Sequence, residues 1–223
     1  MRAFLIALFV LVLAALGGDR LAHRLAADEA EQRLTAEGLR EPQVAVEGFP
    51  FLPQLLSRSF GEVQVEAAAL RRDGRLVRDV TATGLDVEGP RDGQVTVARL
   101  TAQGTVPYDE VLDEVGVPDL SLDHAGGDEV ALAREVTVLG RTVSVSATGR
   151  VEVAGERLRI VPTGFELAGG EPVDSGLRPL LVDRFSVTYP LRGLLDGLSV
   201  QRVTAAPEGF EVEISGEDVT LNR

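Results

Sequence analysis

Residues 44–56 read VAVEGFPFLPQLL, a strand-like alternation that runs into the densest apolar stretch after the N-terminus. Val44 and Val46 alternate with small or polar neighbours, as in a strand with one buried face. Pro50 and Pro53 exclude a continuous central strand beyond that point, because proline lacks the N–H that a strand ladder requires. The segment therefore predicts a strand end, a sharp turn and a short apolar helix over residues 50–57.

A short apolar helix of this kind has three interpretations. It can plug one end of a core, line a groove or dip into a membrane. Composition alone favours the core plug and leaves the other two interpretations open.

The period of two continues over most of the chain and predicts strands with one apolar face. It recurs in pairs such as Val63 and Val65, Val143 and Val145, and Val212 and Ile214. Turn signals separate the runs, and these are Asp73-Gly74, Asp92-Gly93, Gly140-Arg141, Gly155-Glu156 and Glu208-Gly209. Hairpin after hairpin indicates an antiparallel sheet rather than βαβ units.

Helical patterns precede and interrupt the strands. Residues 19–37 predict a helix with an Ala-rich stripe and a stop at Gly38. Residues 108–115 follow Pro107, which suits a first helical position, and residues 177–183 predict a further short helix. The predicted fold class is α+β, with a long curved antiparallel sheet wrapped around the N-terminal helix.

The N-terminus resembles an export signal. Arg2 is followed by an unbroken apolar run from Ala3 to Leu16 and by small residues. The run is short of the ~20 residues that span a bilayer. Residues 1–18 therefore predict either a cleaved signal peptide or an N-terminal membrane anchor, with a single domain over residues 19–223 in the periplasm or cell envelope.

Charge and composition exclude several partners. The formal net charge is −13 and no cysteine occurs, so disulfides and thiolate metal sites are excluded. A negative field repels phosphate backbones, and we expect no nucleic-acid partner. It also repels anionic membranes, so any lipid binding must come from apolar burial.

Motifs for catalysis or metal binding are weak. His23 and His124 have no partner at metal-ligand spacing. The acid-rich segment 119–129 suggests a solvated loop, with Ca²⁺ as a minor alternative. Asp109 and Asp113 share a helix face and could perform acid–base work, but a solvated face is the simpler interpretation. We expect no cofactor and no enzymatic activity.

Residues 44–56 also resemble the signature of the LmeA family of actinobacterial phospholipid-binding cell-envelope proteins. In that signature a Val-x-Val strand runs into G-F-P-F-L-x-Q-L-L. The stretches V-P-Y-D-E-V-L (106–112), G-L-S-V (197–200) and G-F-E-V (209–212) are similar to further family segments. Residues 194–196 depart from the family pattern, which tends to have Leu-Pro before the late Gly-Leu.

The resemblance implies a fold like the tubular lipid-binding (TULIP-like) proteins and a phospholipid partner held in an apolar groove. We expect the wall or mouth of that groove to contain Phe49, Pro50, Phe51, Leu52, Leu55, Leu56 and Phe60. It also implies a role in envelope lipid or lipomannan metabolism. We expect a monomer that contacts the membrane through its N-terminal segment or by apolar insertion. The alternative is a structural or adaptor protein without a ligand cavity.

Overall fold

The structure is a computed structural model of the 223-residue chain. It describes residues 27–48, 50–72, 74–91, 94–117, 119–138, 141–154, 157–167, 170–190 and 197–222. The predicted signal or anchor (residues 1–18), the start of the first predicted helix, Phe49 and the divergent residues 194–196 lie outside the described residues.

The described elements alternate short helices with long strands. In chain order they are α1 (helical residues 27–36), β1 (Leu39–Arg40), β2 (Gln43–Glu47), α2 (Phe51–Ser57), β3 (Ser59–Arg72), β4 (Arg75–Arg91), β5 (Gln94–Val106), α3 (Tyr108–Val115), β6 (Ser121–Gly126), β7 (Glu129–Val138), β8 (Arg141–Ala154), β9 (Arg157–Leu167), α4 (Arg178–Phe185), β10 (Val187–Pro190), β11 (Leu198–Ala206) and β12 (Gly209–Asn222). The helices predicted at residues 50–57, 108–115 and 177–183 are confirmed within a few residues.

The strands form two open, curved antiparallel sheets, which confirms the predicted α+β class. Sheet A has the order β1-β3-β4-β5-β12-β11, with β2 also pairing with β3. Sheet B has the order β10-β9-β8-β7-β6. Most neighbours are consecutive hairpins, but β12 pairs with β5, so the C-terminal hairpin returns to the first sheet. The alternation of apolar residues predicts strands but carries no signal for this division.

The largest described core lies between sheet B, helices α3 and α4, and one end of sheet A. Its most deeply buried side chains include Val111, Leu132, Ile160, Phe185 and Phe210. Two edge-to-face aromatic pairs belong to it: Tyr108 with Phe210 (ring centroids 4.9 Å apart) and Phe165 with Phe185 (5.6 Å). Such pairs add ~0.5–1.5 kcal/mol beyond the area they bury.

Both tyrosines of the chain lie at this core. The Tyr108 hydroxyl donates a 2.7 Å hydrogen bond to the carbonyl oxygen of Ala206. Burial raises the pKa of Tyr108 above its usual 10.0, against the opposing effect of that hydrogen bond. Burial likewise raises the pKa of Tyr189, partly offset by the nearby Arg75 guanidinium. The folded state therefore favours the neutral phenols, and ionisation of either tyrosine at high pH opposes folding.

Helix α1 ends as predicted and lies beside β2. Gly38 has φ +101°, a left-handed conformation that favours glycine, and its N–H donates to the carbonyl of Thr35. Ala30 and Leu34 are half-buried. The Glu31 carboxylate accepts a 3.0 Å hydrogen bond from the Val44 N–H. The described part of α1 thus contacts sheet A and lies outside the main core cluster.

The segment 119–129 differs from its prediction. Most of it forms β6 and the start of β7 rather than a loop, with Ser121 paired to Ala133 across the hairpin. Leu122 is buried beneath it, while Ser121 and Asp123 face solvent. Most of the acidic residues are therefore exposed positions of an edge hairpin, in which the alternation of Val130 and Leu132 predicted the β7 strand but nothing predicted β6.

Candidate functional site

Sheet A carries one continuous apolar face. Residues paired directly across antiparallel strands share a face, so the register identifies its rows. One row crosses six strands and consists of Val44, Val65, Ala82, Ala102, Ile214 and Val200. The row beside it consists of Val46, Val63, Gly84, Leu100, Gly216 and Leu198. Both rows are apolar throughout and span ~24 Å, since neighbouring strands lie ~4.8 Å apart.

The row between these two faces the other way and is mostly polar. It consists of Ala45, Gln64, Thr83, Thr101, Ser215 and Ser199. The contrast shows that sheet A has one apolar side and one polar side, as the period of two predicted.

The apolar face is only half-buried. In the two apolar rows, Gly84 alone is buried, and every other residue has intermediate exposure. Farther along the same face, Phe210 and Ala205 reach the main core and are buried. The two rows are thus an apolar surface that the described residues cover incompletely.

Three aspartates in the left-handed backbone conformation change the alternation of side chains along their strands. They keep apolar side chains on this face at positions that a regular strand would turn to the other face. Asp79, Asp86 and Asp218 lie within strands and have φ values of +50°, +50° and +51°. Aspartate is among the few non-glycine residues that adopt this conformation readily. Each is followed directly by valine, at Val80, Val87 and Val219.

The contacts around Gly84 show the effect of Asp86. A Cβ placed on Gly84 would lie 3.1 Å from side-chain atoms of both Val87 and Val97. Val87 therefore projects on the same side as Gly84, three residues earlier, although a regular strand would place it opposite. Likewise, a Cβ on Gly216 would lie 2.9 Å from Val219. The apolar face thus continues through the bend to the end of the sheet.

Helix α2 covers that end of the face. Phe60 pairs with Val87, and Val97 pairs with both Val87 and Val219 across the strands. The Phe51 ring stacks on Phe60 with centroids 6.2 Å apart, and Phe51 is 2% exposed. The side chain of Phe51 therefore closes the end of the apolar face.

The predicted site residues divide into two groups. Phe51 and Phe60 lie together at the sheet end, and Leu52 is half-buried beside them in the helix. Pro50 is exposed, as are Leu55 (38%) and Leu56 (84%). Phe49 lies outside the described residues. The sequence left three interpretations of α2 open: a core plug, a groove lining and a membrane contact. The buried Phe51 side of the helix fits a plug, whereas the exposed Leu56 side does not.

Sequence reasoning missed the residues of the two apolar rows as a site. The signal that could have found part of them is the dipeptide Asp-Val, which occurs three times in the chain, in Arg78-Asp79-Val80, Leu85-Asp86-Val87 and Glu217-Asp218-Val219. In each case an aspartate stands within a strand directly before a valine. The register that joins the rows depends on pairings between distant strands and has no local signal.

The polar side of sheet A carries two depressions. One, of about 340 Å³, is lined by Gln103, Thr105, Thr204 and neighbouring residues, and the other includes Arg99 and Thr101. Arg202 and Glu213 line both. Their polar walls suit water rather than acyl chains.

The other candidate residues do not assemble into a reactive centre. Asp109 and Asp113 are exposed on α3, and the Glu114 carboxylate beside them pairs with Arg75 at 2.7 Å. The His124 ring nitrogen Nε2 lies 2.9 Å from the Gly127 carbonyl oxygen. Among the described residues, no three His, Asp or Glu side chains form a group that could hold a metal ion. No helix in the described ranges is long and apolar enough to span a membrane.

The chain is therefore an α+β protein of open, curved antiparallel sheets, one of which has an apolar face that the described residues cover incompletely. A family model described as LmeA-like phospholipid-binding matches residues 17–215, and the chain belongs to that family. The resemblance noted from the sequence is thereby confirmed. No curated protein sequence matches the chain.

Proposed function

We propose that the protein holds the acyl chains of a phospholipid against the apolar face of sheet A, with α2 at one end of the binding surface. The observation that carries this proposal is the half-buried state of two apolar rows across six strands. Membership of a phospholipid-binding family supports it.

The energetics favour an acyl ligand over water on this face. Each CH₂ group transferred from water contributes ~0.8 kcal/mol, without any requirement for charge. Valine, alanine, leucine and isoleucine line the rows. In this proposal Phe49, Pro50, Phe51, Leu52, Leu55, Leu56 and Phe60 form the wall and mouth at the α2 end of the groove.

The setting of this activity is part of the proposal. The protein would be exported as a monomer into the periplasm or cell envelope of an actinobacterium, with residues 1–18 as signal or anchor and residues 19–223 as one lipid-binding domain. It would contact the membrane, bind no nucleic acid, perform no catalysis, and support lipid or lipomannan metabolism. The apolar start of the sequence supports export, and the net charge of −13 argues against a nucleic-acid partner.

A matched pair of variants on β3 tests the binding face. Val65 and Gln64 are adjacent and half-buried, but Val65 lies in an apolar row and Gln64 in the polar row between. We expect Val65→Asp to lower the phospholipid that co-purifies with the protein by about tenfold or more, because a carboxylate opposes acyl burial. Gln64→Asp should retain the lipid. Mass spectrometry of an organic extract measures both.

The control is the folded state of each variant, measured by circular dichroism and urea unfolding. Equal lipid content in Val65→Asp, Gln64→Asp and the unchanged protein would refute the proposed face. A lipid-free protein that also takes up no lipid from vesicles would favour the adaptor alternative.

A further inference from the structure

We infer that the outward side of α2, formed by Leu55 and Leu56, docks on the surface of a lipid bilayer. The inference rests on the proposed function, because it identifies where the lipid-binding face meets the membrane. It is drawn from the exposure of these leucines, the charge of their segment, and their position at the end of the apolar face.

The apolar arc of α2 is wider than the part that the sheet covers. In a helix of 3.6 residues per turn, Phe51 and Leu55 lie one above the other, and Leu52 and Leu56 form the neighbouring row. Phe51 is buried against Phe60, whereas Leu56 is 84% exposed. The arc therefore has an inner side on the sheet and an outer side that the described residues leave partly uncovered at Leu55 and largely uncovered at Leu56.

Charge favours a bilayer as the occupant of the outer side. The chain has 35 acidic residues among 223, yet residues 48–61 contain none and carry one cation, Arg58. Surface charges act over ~10 Å at ordinary ionic strength, so a net charge of −13 would repel most of the protein from phosphate headgroups. Glu47 and Glu62 border this segment, so the uncharged surface that can approach headgroups is α2 itself, residues 51–57.

Helix α4 provides an internal contrast. It also exposes leucine, with Leu180 66% exposed, and Val182 is partly exposed beside it. Unlike α2, which carries no charged side chain, α4 carries Arg178, Asp183 and Arg184 within its length. An apolar surface alone would predict docking by both helices, whereas apolar surface combined with charge predicts docking by α2.

The position of α2 links docking to the lipid-binding face. The same helix that presents Leu56 outward inserts Phe51 against Phe60 at the end of the apolar rows. Docking through Leu55 and Leu56 would therefore bring that end of the face to the membrane surface. Acyl chains could then pass between bilayer and sheet beside one short helix.

Single-cysteine labelling tests this contact directly. The chain has no cysteine, so Leu56→Cys in the full chain accepts one environment-sensitive fluorophore, and Leu180→Cys is the matched control. The vesicles are phosphatidylcholine, with or without brominated acyl chains. We expect the probe at position 56 to shift to the blue and to be quenched by brominated lipid, and the probe at position 180 to change little. Adding Leu55→Asp should weaken the response at position 56 by about tenfold.

Unchanged emission and no quenching of the probe at position 56 would overturn the inference, as would equal responses at positions 56 and 180. A blue shift that depends on protein concentration without vesicles would overturn it in favour of self-association. Lipid extracted from protein never mixed with vesicles separates the two proposals. Retained lipid with a silent probe refutes docking alone, whereas a quenched probe on a protein that holds no lipid refutes the proposed function alone.

Discussion

Sheets A and B have the same alternating sequence pattern, but their apolar faces differ in how completely they are buried. In sheet B, alternate residues such as Val130, Leu132 and Ile160 are fully buried under α3, α4 and the end of sheet A. In sheet A, the equivalent rows around Ala82 and Ala102 are half-buried. An apolar sheet face is therefore not by itself a core, and the part left incompletely covered is where a ligand can contribute the missing burial.

The largest expected effect comes from truncating matched leucines in the two sheets. Leu132 is 0% exposed in sheet B, and Leu100 is half-buried in an apolar row of sheet A. We expect Leu132→Ala to lower the free energy of unfolding by ~3–5 kcal/mol, because it leaves a cavity in a closed core. Leu100→Ala should cost ~1 kcal/mol in the lipid-free protein, because less contact area is lost. Urea unfolding measures both, and equal losses would contradict the contrast.

Removing lipid should affect sheet A and spare sheet B. A ligand present at a hundred times its dissociation constant stabilises the folded state by ~2.7 kcal/mol. We therefore expect faster amide hydrogen exchange in β3, β4, β5 and β12 after delipidation, and little change in β7, β8 and β9. Hydrogen exchange followed by mass spectrometry resolves the two sets of strands. A uniform change over both sheets would place the ligand elsewhere.

The left-handed aspartates give a smaller effect on sheet A. Asp86 has φ +50°, so Asp86→Val should cost ~1–2 kcal/mol of stability, because a β-branched side chain is strained there. Asp86→Gly should cost little, since glycine accepts that conformation. Ser144→Val, at an exposed strand position of sheet B, is the control and should change stability by less than ~0.5 kcal/mol. Comparable costs for Asp86→Val and Asp86→Gly would show that backbone strain is not the cause.

Alkaline pH should produce the smallest effect, and on the sheet B side. Burial raises the pKa of Tyr108 above 10.0 in the folded state, so its contribution to stability is present below pH 10.0 and is lost as the pH rises through the folded pKa. Tyr108→Phe should cost ~1 kcal/mol at neutral pH, because the Ala206 carbonyl loses its donor, and should reduce the alkaline loss. Unfolding free energies across that pH range, with tyrosinate absorbance, test this. An unchanged pH profile would contradict it.

Local features of the fold were predictable from the sequence because local chemistry determines them. Pro107 lies at the N-cap of α3, and Gly38 follows the end of α1. The alternation around Val63 and Val143 predicted strands that the structure confirms. These signals depend on backbone conformation and on side chains a few residues apart. The same reasoning predicted the helix at residues 50–57 from its prolines and leucines.

The division into two sheets and the candidate face were not predictable in this way. The pairing of Ile214 with Ala102 joins strands more than a hundred residues apart, and no residue near either position indicates it. The outward exposure of Leu56 is likewise a property of what the sheet leaves uncovered. The sequence predicted the leucines of α2 as site residues. It could not indicate which of them face the sheet and which face outward.

The three Asp-Val steps also fix the alignment of the strands. A sheet that alternates every two residues can slide by two residues and still present an apolar side, so misaligned pairings compete with the correct one. Sliding β4 by two residues would put Asp86 and Val87 out of phase with Val97 and with the bend at Asp218. Only one register aligns these bends across the strands. The bends therefore disfavour misaligned pairings in a long sheet with a repetitive pattern.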